Sequence, residues 1–236
     1  MTIPFSQQSL EIFLVQSYFG TWTNGSSARN QLNERNQMTK NSIIYIDPPW
    51  TYNDKALAGN RGAECKYPTM NIEAIKSLPI NQIADENCVL FCWATWPLIQ
   101  EALDAIKSWG FKYKTVGFVW VKMNKITPTP FMGMGNWSRS NSEVCLLATK
   151  GKPKRVSAGV SSIVLADEDW ESETIMAPIE GHSKKPDVFR DKIVALCGDV
   201  ERTEIFAREA KSGWSAIGNG IDGRDIREVL EELING

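Results

Sequence analysis

The chain has 236 residues, 42% of them hydrophobic, a formal charge of −2 and a pI near 5.6. This is enough apolar material for one sizeable core, so one α/β domain is expected. The balance excludes a surface coated in basic charge, though not a local basic groove. Five scattered cysteines, odd in number and without a CxxC pair, argue for reduced thiols, a cytoplasmic setting and no structural zinc. No leader heads the sequence and no apolar run approaches a membrane span, so a soluble protein with no membrane partner is expected.

Residues 1–40 read as an N-terminal extension, helical or partly disordered, and residues 41–236 as the main domain. IIYI (43–46) is a strand, and the polar, Gly-containing residues 51–66 a loop. NIEAIKSL is a short helix. NCVLFCWAT is a continuous apolar run, as in a strand buried on both faces, with Cys88 and Cys92 as buried thiols. PLIQEALDAIKSWG is a helix with Pro97 in its first turn, Gly110 at its stop, and Ile99, Leu103, Ile106 and Trp109 on the face that covers a sheet. TVGFVWVKM and EVCLLATKG are strands, separated by a long loop rich in Pro, Gly and Met. PDVFRDKIVALCG is a helix from Pro186 to Gly198. VERTEIFA and GWSAIGNGI are strands, and DGRDIREVLEELI is an amphipathic helix for which Asp222 is a candidate cap.

Strands alternating with helices predict a Rossmann-like, doubly wound, mostly parallel sheet with helices on both faces. Ligands bind such sheets beyond the carboxyl ends of the strands, which puts Asp47 at a site mouth. The Asp47 carboxylate and the Pro48 carbonyl can accept two N–H bonds, and Trp50 offers a flat face. Together they suit a planar ring bearing an exocyclic amino group. Two acceptors on that group draw it toward tetrahedral geometry and localise its lone pair for attack on an electrophilic carbon. For the bare tetrapeptide a plainer alternative is favoured: a Pro-Pro turn, with Asp47 capping a backbone N–H and Trp50 in the core.

More of the chain bears on that choice. In order, DPPW, a Tyr-containing loop, LFCWAT, WGFKY, FVWVK, a G-x-G-x-W-x-R loop, EVCLLATKG, HSKKP, EIFAR and GWSAIGN resemble the MT-A70 family. These are S-adenosylmethionine-dependent N6-adenine methyltransferases acting on DNA or RNA. The likeness runs from about Ile43 to Asn219. It implies that residues 41–236 form a class I methyltransferase catalytic domain in permuted order, of the bacterial or phage type. The amino-group-binding DPPW then precedes the cofactor half.

The resemblance implies roles residue by residue. Asp47, Pro48, Pro49 and Trp50 match the catalytic tetrapeptide, with Asp47 also touching the cofactor and Trp50 stacking on the adenine. Tyr67 matches a tyrosine beside the target base. His182, Ser183, Lys185, Phe206, Arg208 and Asn219 match positions around S-adenosyl-L-methionine. Glu204 is a site anchor or a structural residue. Gly220 departs from the family, which has Glu or Gln there, so a ribose contact is missing or supplied elsewhere. In the loop 122–140, Trp137 and Arg139 are candidate substrate contacts, and Glu143 braces that loop or lines the target pocket. The run Lys150, Lys152, Lys154 and Arg155 fits a solvated loop as well as it fits phosphate.

The expected activity is therefore methyl transfer to N6 of adenine in DNA. RNA is the alternative substrate, and a non-catalytic nucleic-acid-binding partner on the same fold is the alternative of another class. The expected setting is the cytoplasm of a bacterium or a phage-infected cell, and the small subunit admits a homodimer.

Overall fold

The computed structural model describes residues 40–51, 69–124, 129–133, 137–162, 175–178 and 184–235, the four residues 175–178 by backbone alone. The expectations for residues 1–39, Tyr67, His182 and Ser183 lie outside the described residues.

β1 (Asn41–Ile46) is central because both of its faces are apolar. Ile44 and Ile46 enter one core, and Ile43 and Tyr45 the other. The chain continues through α1 (Ile72–Lys76), α2 (Ile80–Ile83), β2 (Ala84–Ala94), a 3-10 turn at Trp96–Leu98, α3 (Ile99–Ser108) and β3 (Lys112–Met123). Then come β4 (Ser142–Lys150), β5 (Ile175–Pro178), α4 (Val188–Cys197), β6 (Arg202–Ile205), β7 (Ser215–Ile217), α5 (Asn219–Asp222) and α6 (Ile226–Asn235).

The sheet has seven strands in the order β5-β3-β4-β2-β1-β6-β7. β1 pairs in parallel with both β2 and β6, and β6 with β7; β4 alone runs against its neighbours β2 and β3. The sheet is therefore mostly parallel, with one reversed strand. β2 splits its side chains as β1 does: Cys88, Leu90, Cys92 and Ala94 face one core, and Val89, Phe91 and Trp93 the other. Helices α1, α2, α3 and α6 close the first core, and α4 closes the second with Phe189, Ile193 and Cys197. No helix among the described residues is long and apolar enough to cross a membrane.

Helix ends follow the predicted chemistry. Gly110 takes φ +80 after α3, and the Gly110 and Phe111 N–H groups bond the Lys107 and Ile106 carbonyls at 3.0 and 3.1 Å. This is a Schellman closure. Gly198 ends α4 at φ +93. Three expectations change. GWSAIGNGI is a strand only over Ser215–Ile217, because its glycines turn the chain into α5. The cap of α6 is Asp225, not Asp222: Asp225 Oδ1 accepts the Arg227 N–H at 2.8 Å, while Asp222 bonds Arg224. β5 was not expected, since four residues ending in proline carry no readable period; proline is tolerated there on a sheet edge.

Candidate active site

β1 delivers Asp47 to the carboxyl edge of the sheet, between β2 and β6. Its N–H still bonds the Ile205 carbonyl of β6 at 3.4 Å. Pro48 has no N–H, so the ladder stops there. The Pro48 carbonyl accepts the Trp50 N–H at 2.9 Å and keeps one lone pair for a second donor. The Asp47 side chain is 26% exposed, so it opens to the mouth.

Trp50 departs from the stacking role. Its ring is 5% exposed and packs in the first core, and its Nε1–H donates to the Trp93 carbonyl at 3.0 Å. It fixes the turn rather than offering a face.

A buried chain of charges surrounds Asp47. Lys185 Nζ lies 2.7 Å from Asp47 Oδ2 and 3.1 Å from Glu143 Oε2, and Lys122 Nζ pairs with Glu143 Oε1. Glu143 thus bridges two lysines, and Lys185 bridges two carboxylates. Lys185 also stands 5.2 Å over the Trp93 ring. Burial pushes the Asp47 carboxyl above the usual range; Lys185 opposes this and Glu143 adds to it. Burial pushes Glu143 up too, but Lys185 and Lys122 outweigh it and hold Glu143 below the usual range. Burial lowers Lys185, yet Asp47 and Glu143 hold it above its ordinary value, so it is a fixed cation.

A second network supports this cluster from behind. Arg190 of α4 grips Glu204 of β6 with two bonds, Nε to Oε2 at 2.6 Å and Nη2 to Oε1 at 2.7 Å. The Arg190 guanidinium lies 5.8 Å over the Tyr45 ring, and the Tyr45 hydroxyl accepts Trp93 Nε1–H at 2.7 Å. Trp93 in turn holds Trp50. Glu204 therefore anchors α4 to the sheet.

The ends of β6 and β7 form the other half of the edge. Phe206 takes φ +64, the one non-glycine residue at positive φ among the described residues. Such strain marks functional positions and costs about 1–3 kcal/mol. It turns the chain so that the Ala207 N–H meets the Ile217 carbonyl at 3.0 Å. Arg208 and Asn219 are exposed there, and the Arg208 charge reaches Asp47. Gly218 and Gly220 press onto this backbone. A Cβ at Gly218 would stand 2.4 Å from the Ala207 oxygen, and one at Gly220 2.7 Å from Arg208 Cα. Gly220 is thus sterically required beside Arg208.

The structure divides the substrate-side candidates. Glu143 is in the cluster with Asp47. Trp137 and Arg139 are exposed on the segment between β3 and β4, beside the carboxyl edge. The run after β4 lies at the opposite edge, since Lys150 pairs with Cys88 near the start of β2. Lys150 itself is used inside the protein, where it bonds the Asn81 and Ala84 carbonyls at 3.1 and 3.3 Å. Two residues at the mouth went unread in the sequence: Thr95 and Trp96, just past β2. A short polar-aromatic step after a strand carries no period, although the strand's end pointed to this place.

Residues 41–220 match the MT-A70 family. The chain belongs to it. MT-A70 proteins are N6-adenine methyltransferases, and the matched span contains the motifs quoted above, from DPPW to GWSAIGN. The chain is 30% identical over 205 residues to the Type II methyltransferase M.MunI of a Mycoplasma species, covering 79% of this chain and 80% of that protein. It is 27% identical over 198 residues to the N(6)-adenosine-methyltransferase MT-A70-like protein of Drosophila melanogaster, covering 83% of this chain but 29% of that protein. It is 27% identical over 189 residues to the N6-methyladenosine RNA methyltransferase MTA1 of Pyricularia oryzae, covering 76% and 46%. The MT-A70 chain thus spans most of the Mycoplasma relative and less than half of the other two.

Proposed function

We propose that this chain transfers a methyl group from S-adenosylmethionine to N6 of adenine in DNA. The observation that carries the reading is a partly open carboxylate, Asp47, held at 2.7 Å by a buried lysine at the carboxyl edge of a parallel sheet. When bound, the cofactor supplies an electrophilic methyl group.

The residues present fit that cofactor. Lys185 offers a cation for its carboxylate, and Phe206, Arg208 and Asn219 surround the strand ends where an adenosine would lie. Asp47 accepts one N–H of the target amino group, and the free lone pair of the Pro48 carbonyl accepts the other. Lys185 fixes the rotamer of Asp47, and Glu143 fixes Lys185. Because Trp50 is buried, stacking falls to Trp96, which is 46% exposed beyond β2 and is oriented by its Nε1–H bond to Ser142 Oγ at 3.0 Å. Trp137 and Arg139, exposed on the segment between β3 and β4, add an aromatic face and a phosphate partner.

Support for DNA is the match in length. The relative that this chain nearly spans is the compact Type II methyltransferase, whereas it covers under half of the relative named for RNA. The test is labelled S-adenosylmethionine with matched DNA and RNA oligonucleotides. Label is expected in DNA. Label in RNA alone overturns the polymer, and cofactor binding with no transfer to either polymer gives the non-catalytic partner instead.

A further inference from the structure

The strand register places Thr95 inside the same site. Ile46 pairs with Cys92, which sets Asp47 level with Trp93. Ala94 pairs with Val144, which sets Thr95 level with Glu143 and Trp96 level with Ser142, as the Trp96–Ser142 bond requires. Thr95 is extended, with φ −96 and ψ 149, so strand alternation continues through it. It therefore lies on the face of Trp93, the face over which Lys185 sits. Asp47 follows Tyr45 by two residues and Glu143 is opposite Trp120, so both belong to that face as well.

The Thr95 hydroxyl oxygen is buried and has no hydrogen-bond partner among the described residues. A buried hydroxyl without a partner destabilises the fold. Valine has the same shape, suits a strand end and would remove that penalty. A hydroxyl kept there is held for a molecule that arrives later. Glu143 is level with Thr95 on one side, and Asp47, level with Trp93 two residues back, is on the other; the two carboxylates flank the place where the proposed function puts the target amino group.

We infer that Thr95 is a substrate-binding residue whose hydroxyl donates a hydrogen bond to ring nitrogen N1 of the target adenine, next to the amino group held by Asp47. The inference rests on the adenine-methylating reading above.

The test uses the full chain and a DNA oligonucleotide whose methylated adenine has been mapped with wild type, made with adenine or 1-deazaadenine at that position. Thr95→Val is expected to lower transfer to adenine about tenfold, and Thr95→Ser to keep most of it. On 1-deazaadenine, wild type and Thr95→Val are expected to be equal. Thermal unfolding of Thr95→Val is expected at or above the wild-type temperature. Wild-type transfer by Thr95→Val, an undiminished gap on 1-deazaadenine, or a lowered unfolding temperature would each overturn the inference. A wild type that methylates no nucleic acid at all removes the functional reading itself, which is a separate result.

Discussion

Asp47 accepts N–H bonds most strongly when ionised, and its partial burial works against ionisation. The acid limb of kcat/KM, which reports the free enzyme, should therefore lie above the ordinary aspartate range, because the protonated, less active form persists to higher pH. A pH–rate profile with its limb at or below that range would contradict the assignment. The same shift has a stability side. An acid whose folded pKa is raised destabilises the fold at neutral pH and relieves it as pH falls. Asp47→Asn also leaves buried Lys185 with Glu143 as its remaining carboxylate partner, so its melting temperature at pH 7 combines a gain and a loss, while transfer should fall at least about a hundredfold. Glu143 has the opposite sign. Its folded pKa is lowered, so its contribution is present above the unfolded carboxylate value and is lost as pH falls through the lower folded one. Glu143→Gln should melt earlier than wild type at pH 7, and the gap should close on acidification; a gap that is constant with pH would remove the ion-pair explanation.

Among the elements, α4 is fixed to the sheet by charge as well as by packing. Arg190→Met would leave Glu204 buried and unpaired, at a cost of about 3–5 kcal/mol. Adding Glu204→Leu should recover most of that in denaturant unfolding, since removing both partners leaves no stranded charge. Failure to recover would mean that the pair acts through more than its own charges. The start of α5 makes a different prediction. Gly220→Gln, the side chain expected there from the sequence resemblance, would drive a Cβ into the Arg208 backbone. Overpacking of this kind costs about 1–3 kcal/mol. Calorimetry should show weaker, not tighter, binding of S-adenosylmethionine by that variant.

For the molecule as a whole, the sheet was legible because its central strands are buried on both faces. IIYI and NCVLFCWAT have no polar interruption, and Gly110 and Gly198 closed their helices as read. The charged centre was legible only in part. Asp47 and Lys185 stand 138 residues apart, and the motif order brought them together on paper before the 2.7 Å contact did. Glu143 was placed nearby, but its bridging of two lysines depends on the reversed direction of β4, which no local pattern encodes. Trp50 shows the converse limit. An aromatic ring after a proline pair suits a stacking face, and only its bond to the Trp93 carbonyl reveals that it is turned inward. Thr95 and Trp96 gave no signal because their significance is positional, one strand over from Asp47 and level with Glu143 and Ser142 respectively.

The central claim is that Asp47 presents an adenine amino group for methylation in DNA. The most direct test is mass spectrometry of nucleosides from DNA incubated with S-adenosylmethionine and either wild type or Asp47→Asn, with both proteins shown to be folded by their melting curves. N6-methyladenine formed by wild type and reduced at least about a hundredfold by the variant is the predicted result. N6-methyladenine formed equally by both, or none formed by a folded, cofactor-binding wild type, would contradict it.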